Sequence, residues 1–199
     1  YNTAISIKPD FADAYVNKGL ALQDTGNLEN AIDAYKKAIA IEPNYAGAYN
    51  NMGNTFKDQG KTDEAIEAYN KALAIKPDYA EAYLNLGNSL EDKGKQKEAI
   101  ESYRIAISIK NNYAQAFKYL GNTFQAQGNK EEAIKAYNKA ISIDPMYAAA
   151  YRSLSSLVRY KPDHPQIKTI ADIIELDDLS ENQRCQFHYA FATIMEDLG

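Results

Sequence analysis

Apolar or small residues stand at Ala46, Tyr49, Met52, Gly53 and Phe56, with polar residues between them. That i, i+3, i+4, i+7 spacing lays one apolar stripe along a helix and predicts a helix over 46–59. Ala65, Ile66, Tyr69, Ala72 and Leu73 repeat the pattern and predict a second helix over 62–75. Gly60 stands between the two, where a glycine can take positive φ and end the first helix. Pro77 follows the second helix, which a proline cannot continue.

The same unit recurs every 34 residues, as Pro9, Pro43, Pro77 and Pro145 show, with Asn111 in the slot that breaks the proline column. Ala12-Asp13-Ala14-Tyr15 lies over Ala46-Gly47-Ala48-Tyr49, Ala80-Glu81-Ala82-Tyr83 and Ala114-Gln115-Ala116-Phe117. Gly60 lies in a column with Gly26, Gly94 and Gly128. A period of this length means a stacked array, and it favours binding surfaces over a catalytic pocket. The columns divide the chain into the tail of a preceding repeat at 1–8, four complete repeats at 9–144, and a divergent fifth repeat with further helices at 145–199. Tyr1 and Ala4 fall in repeat columns, so the chain reads as a piece of a longer array. A second glycine column, Gly19, Gly53, Gly87 and Gly121, sits mid-helix, where glycine costs about 1 kcal/mol against alanine. Close packing against the Ala31, Ala65, Ala99 and Ala133 column is the expected reason. Eight of the ten glycines fall in these two columns, so glycine here is architectural and does not form a phosphate loop.

Tyr83, Leu86-Gly87, Leu90, Gly94, Ala99, Tyr103 and Ala106 resemble the signature of the tetratricopeptide repeat (TPR) family. The resemblance covers about residues 1–158 and departs at Lys18, Asn111 and Ser155. It implies an all-α, right-handed superhelical solenoid of helical hairpins, with the first helices lining a concave groove that usually holds a peptide.

The register breaks after Val158, and Tyr160 to Pro165 carries two prolines, which predicts a turn. A helix is expected from Gln166 to about Leu176, and another from Glu181 to Leu198, opened by a capping box of Ser180 and Gln183. These helices are expected to cover the apolar face of the last repeat. The segments Pro162 to Ile167, Leu179-Ser180, Phe187 to Ala192 and Glu196 to Gly199 resemble the junction that follows the repeats in bacterial TPR–sulfotransferase proteins. The phosphate loop of that family would lie beyond this junction, so the likeness bears on the parent protein.

The chain has 199 residues, 45% of them hydrophobic and 25% charged, which marks a globular domain. No run approaches the roughly 18 to 20 apolar residues of a membrane span. A net charge of −5 disfavours nucleic acid and anionic membranes as partners. The single cysteine, Cys185, fits a reducing compartment, and a cytoplasmic location is expected. Cys185 and His188 share a helical face, but two ligands do not make a zinc site, so no metal and no cofactor are expected. Most of the sixteen tyrosines stand in fixed columns, which assigns them to packing. No catalytic triad or carboxylate pair stands out, so this chain is not expected to be an enzyme.

The resemblance carries its concave positions over by column. One column reads Asn17, Asn51, Asn85, Tyr119, Ser153, and the next reads Leu20, Asn54, Asn88, Asn122, Ser156. Asparagine is a mediocre helix former, so its repeated use on one face asks for a reason. Its amide both donates and accepts, which suits an extended peptide backbone; hydrogen bonding between repeats is the alternative. The expected groove residues are Asn17, Asn51, Asn54, Asn85, Asn88, Lys118, Asn122 and Arg152. Facing positions in the first three repeats hold six acids, Asp13, Asp24, Asp58, Glu81, Glu91 and Asp92, against Lys57. The last two hold Lys118, Arg152 and Arg159, which suits a partner basic along one stretch and acidic along the next. Ser153 stands where a clamp for a C-terminal carboxylate needs asparagine, so no such clamp is expected. The sequence thus describes a scaffold that binds a peptide or protein. The alternatives are the substrate-recruiting arm of a larger enzyme and an array that self-associates through exposed repeat ends.

Overall fold

The computed structural model describes residues 10–199; the expected repeat tail at 1–8 and Pro9 lie outside them. The described residues form eleven helices and no strand. Four hairpins come first: α1 Ala12–Asp24 with α2 Leu28–Ile41, α3 Ala46–Asp58 with α4 Thr62–Ile75, α5 Ala80–Asp92 with α6 Gln96–Ile109, and α7 Ala114–Ala126 with α8 Lys130–Ile143. Three helices follow: α9 Ala148–Ser155, α10 Pro165–Ile174 and α11 Glu181–Leu198. The helices divide into two compact units, the first ending at Ile109 and the second running from Lys110 to Gly199.

Each hairpin turns on the same backbone device. Gly26, Gly60, Gly94 and Gly128 have φ between 73° and 76°, the left-handed conformation that the sequence predicts. The Gly60 N–H donates to the Lys57 carbonyl at 2.9 Å, and the Lys61 N–H donates to the Phe56 carbonyl at 2.8 Å. That pair is a Schellman motif, which satisfies carbonyls the helix end would leave open. The same two bonds recur at Gly26, Gly94 and Gly128. The second helices end at Ile41, Ile75, Ile109 and Ile143. Since α6 ends in the same column with Asn111 in place of proline, proline accompanies the helix end without being needed for it.

The mid-helix glycines answer to a ring. A Cβ on Gly53 would lie 2.6 Å from Cε1 of Tyr69, and one on Gly19, Gly87 or Gly121 would lie 2.5 to 2.6 Å from the ring of Tyr35, Tyr103 or Tyr137. All four rings are fully buried. The alanine column is fully buried too, but what fills the space over each glycine is the tyrosine, not the alanine expected there. A ring of that size reaches the opposing backbone only where no side chain intervenes.

In the fifth repeat this pair is lost. Ser155 replaces glycine, and Ala171 stands in the tyrosine column. Helix α9 is only eight residues long. Its Tyr151 packs on Phe187 of α11 with ring centroids 5.4 Å apart. Tyr160, Ile170, Ile173, Leu179, Ala190 and Ile194 complete a second core, with Ile141 and Met146 against it. The last helices therefore cover the apolar face of the preceding hairpin, as expected. Helix α10 starts one residue before the expected Gln166, because Pro165 fits the first helical turn and the Nδ1 of His164 accepts from the Gln166 N–H. The capping box of Ser180 and Gln183 opens α11 as expected.

Replacing Gly53 by alanine should lower stability by about 1–3 kcal/mol despite the better helix propensity of alanine, because the ring of Tyr69 must move. Urea denaturation checks this, and unchanged or raised stability contradicts the close approach. Burial pushes the Tyr35, Tyr147 and Tyr160 hydroxyls up to about 12 from 10.0. A raised tyrosine pKa means that the folded state holds the proton more tightly. The contribution is intact below pH 10 and is lost as pH rises through about 12. Helicity should therefore fall together with the appearance of tyrosinate absorbance across that window. Ionisation of all tyrosines near pH 10 with the helices intact would contradict this.

Candidate functional site

The buried tyrosines carry the core to the asparagine columns. The Tyr69 hydroxyl donates to Asn54 Oδ1 at 2.8 Å, the Tyr103 hydroxyl to Asn88 Oδ1 at 2.8 Å, and the Tyr137 hydroxyl to Asn122 Oδ1 at 2.9 Å. The Tyr103 and Tyr137 hydroxyls each have a second acceptor, Glu91 Oε2 at 3.1 Å and Gln125 Oε1 at 2.7 Å, so their single hydrogens are shared between two acceptors. The Nδ2 of each of the three asparagines makes no hydrogen bond among the described residues, and each asparagine is half-buried on its first helix. In the first hairpin Leu20 takes the asparagine place, and the Tyr35 hydroxyl donates instead to Gln23 Oε1 at 3.2 Å.

The other asparagine column divides. Asn85 Nδ2 donates to Asn50 Oδ1 at 3.1 Å, a bond between adjacent hairpins, so this residue serves the inter-repeat role weighed against peptide binding. Asn17 is exposed and Asn51 half-buried, and the side chain of neither makes a hydrogen bond among the described residues.

Asn50 is the residue that sequence reasoning missed. It is fully buried, and its Nδ2 donates to Glu81 at 3.4 Å. Its signal was there to see: an amide in a column that otherwise holds Val16 and Leu84 in this unit. Around it runs a polar seam in which each bond spans about one repeat. Gln23 donates to Asp58 at 2.7 Å, Thr55 to Gln23 at 3.0 Å, and Tyr45 to Asp13 at 2.5 Å, while Lys57 pairs with Asp92 at 3.3 Å. The bond to Asp13 is the main reason that the Tyr45 hydroxyl is pushed up to about 12. The acids expected to face a partner thus also join neighbouring hairpins.

In the second unit the first-helix face has a different character. Lys118, Gln125, Ala149, Arg152, Ser153 and Ser156, with Gln186 and Tyr189 of α11, line a cavity of about 400 Å³. The Arg152 guanidinium lies 5.0 Å from the centre of the Tyr189 ring, and the Lys118 ammonium lies 4.7 Å from that of Tyr119. Arg159, the third expected cation, pairs with Asp197 at 3.3 Å. No acid lines the cavity.

The "TPR repeat" family matches residues 22–60, 53–94 and 88–128, and the "Tetratricopeptide repeat" family matches 114–147. The chain belongs to the tetratricopeptide-repeat family. Among solved structures, MamA is 27% identical, with a TM-score of 0.68 over 94% of this TPR chain and 91% of its own. PilF of Pseudomonas aeruginosa is 21% identical, with a TM-score of 0.71 over 92% of this chain and 76% of its own. YrrB, described as a TPR protein with an unusual peptide-binding site, is 22% identical, with a TM-score of 0.66 over 92% of this chain and 95% of its own. No curated protein matches the sequence. Among the described residues of this TPR chain no group of three metal-ligating side chains comes together, and no helix is long and apolar enough to cross a membrane.

Replacing Asn50 by alanine should destabilise the first unit by about 1–3 kcal/mol, since it strands the Asn85 amide. Replacement by leucine, the residue of the same column at Leu84, should cost less if Asn85 is changed to alanine with it. Equal stability of Asn50→Ala and the native chain in thermal unfolding would show that the seam contributes nothing.

Proposed function

We propose that this chain is a binding module that holds an extended peptide against its first helices. The observation that carries this is the column Asn54, Asn88 and Asn122. The tyrosine bond occupies each carbonyl oxygen and leaves two N–H donors with no partner among the described residues. Donors repeated along one face suit the carbonyls of an extended backbone and bind many sequences with little side-chain selectivity. In the first unit Asn17, Asn51, Asn54, Asn85 and Asn88 form the face. Asn51 and Asn17 add free amides, whereas Asn85 offers only its remaining oxygen. In the second unit Lys118, Asn122 and Arg152 form it. The acids of the first unit and the cations of the second favour a partner with a basic stretch for one and an acidic stretch for the other.

The likeness of residues 162–199 to the junction of TPR–sulfotransferase proteins supports one extension, in which the module recruits substrate for a larger enzyme. The mass of the native parent polypeptide tests that extension.

The module itself is tested with peptides selected from a random library. Asn54→Asp with Asn88→Asp keeps the oxygens that accept from Tyr69 and Tyr103 and removes the donors. Affinity should drop by about 1–3 kcal/mol, roughly 5- to 150-fold, with helicity unchanged. Asn51→Ala should weaken binding without adding charge. Unchanged affinity in both variants, or no enrichment of any peptide, rejects the proposal.

A further inference from the structure

We infer that Tyr79 and Glu81, held together by the buried amide of Asn50, form a subsite for a primary carboxamide, the side chain of a glutamine or asparagine in the bound peptide. This deepens the peptide-binding proposal and rests on it.

One bond of the array is missing at this place. Between the first two hairpins the Tyr45 hydroxyl donates to the Asp13 carboxylate at 2.5 Å. Tyr79 stands in the column of Tyr45, but Gly47 takes the place of Asp13 and has no side chain to accept. The only side chain within 4 Å of a Cβ placed on Gly47 is the ring of Tyr45, so no other described residue fills the place of the missing carboxylate. The Tyr79 hydroxyl donates to no acceptor among the described residues, and Tyr79 is half-buried. Gly47 lies outside both glycine columns, so neither a hairpin turn nor a ring contact accounts for it. Its neighbour Asn50 departs with it, as an amide in a column that holds Val16 and Leu84.

Asn50 decides what the open hydroxyl stands beside. It is fully buried, its Oδ1 accepts from Asn85, and its Nδ2 donates to Glu81 at 3.4 Å. The same amide reaches the Tyr79 oxygen: burial and then the Glu81 charge push that hydroxyl up, and the hydrogen bond from Asn50 draws it back. Moving the phenol and the carboxylate apart would strand a buried amide, which is expensive. The Lys76 ammonium lies 5.1 Å from the centre of the Tyr79 ring and braces it. A donor and an acceptor are therefore presented together. A primary carboxamide answers both, since its oxygen accepts from Tyr79 and its NH2 donates to Glu81. A carboxylate brings no hydrogen and is repelled by Glu81, and an ammonium leaves the Tyr79 hydroxyl without an acceptor.

The test uses a library-selected peptide with both termini blocked, in which each internal position is replaced in turn by glutamine, methionine and glutamate. Fluorescence anisotropy at low and high salt reads the affinities. At one position glutamine should bind about tenfold more tightly than methionine, a side chain of similar length without the amide, at either salt concentration. Glutamine should also exceed glutamate there, by a margin that shrinks at high salt. Tyr79→Phe should abolish the preference over methionine while the methionine peptide binds as before. Gly47→Asp should abolish it too, by giving the Tyr79 hydroxyl an acceptor within the chain. Glu81→Gln keeps an oxygen for the Asn50 amide and should remove the preference for glutamine over glutamate. Circular dichroism of each variant reports folding, and Tyr79→Phe suffices if Gly47→Asp unfolds. Equal affinity for glutamine and methionine at every position, or a preference that survives Tyr79→Phe, overturns the carboxamide subsite and leaves the peptide-binding module standing. Binding of no peptide, with the fold intact, overturns both.

Discussion

A tyrosine ring lying directly on a glycine of the facing helix is the constraint on which each hairpin depends. Tyr35, Tyr69, Tyr103 and Tyr137 are fully buried because Gly19, Gly53, Gly87 and Gly121 have no side chain to exclude them. Four mid-helix glycines each cost helix propensity, and each is offset by a large buried aromatic surface. The same ring must also satisfy its hydroxyl, since a buried unpaired polar group is expensive. In three hairpins an asparagine of the first helix does this. The core contact and the candidate binding face are thus two ends of one side chain. Where the pair is lost, at Ser155 and Ala171, the repeat ends and a different core takes over.

The second level is the polar seam between neighbouring hairpins of the first unit. Asn50, Asp13, Gln23 and Lys57 each reach a residue about one repeat away. Apolar contact between hairpins is non-directional and would tolerate sliding, whereas hydrogen bonds of this span specify one register. Acids on this face therefore have two roles open to them, and charge alone does not mark them as ligands for a partner.

Periodicity made the hairpins legible almost residue by residue. The limits of α4 and α11, the positive-φ glycines and the capping box all follow from column position and local rules. The partner of the mid-helix glycines was not legible in the same way. Period and propensity say that a small residue is needed, but they do not say whether an alanine or a ring lies opposite. The asparagine columns were legible as columns and not as roles. Asn54, Asn88 and Asn122 support tyrosines, Asn85 joins two hairpins, and only Asn17 and Asn51 have side chains without a hydrogen bond among the described residues. A one-dimensional pattern cannot separate these, because the deciding partner lies 15 to 35 residues away on another helix.

In a repeat array the average repeat describes what the architecture requires, so departures from it are the places where the array is free to do something particular. Asn111 departs from proline and changes nothing in the helix end, which shows that a departure alone is weak evidence. Lys118 and Arg152 differ from Asn111 in that their neighbours depart with them. Tyr119 enters beside one, and Tyr189 of the last helix reaches the other. Exposed single charges on a helix are cheap and drift freely, but a cation seated on an aromatic ring fixes the placement of two side chains at once. That joint change, at a cavity with one wall from α11, is what separates these two positions from Asn111.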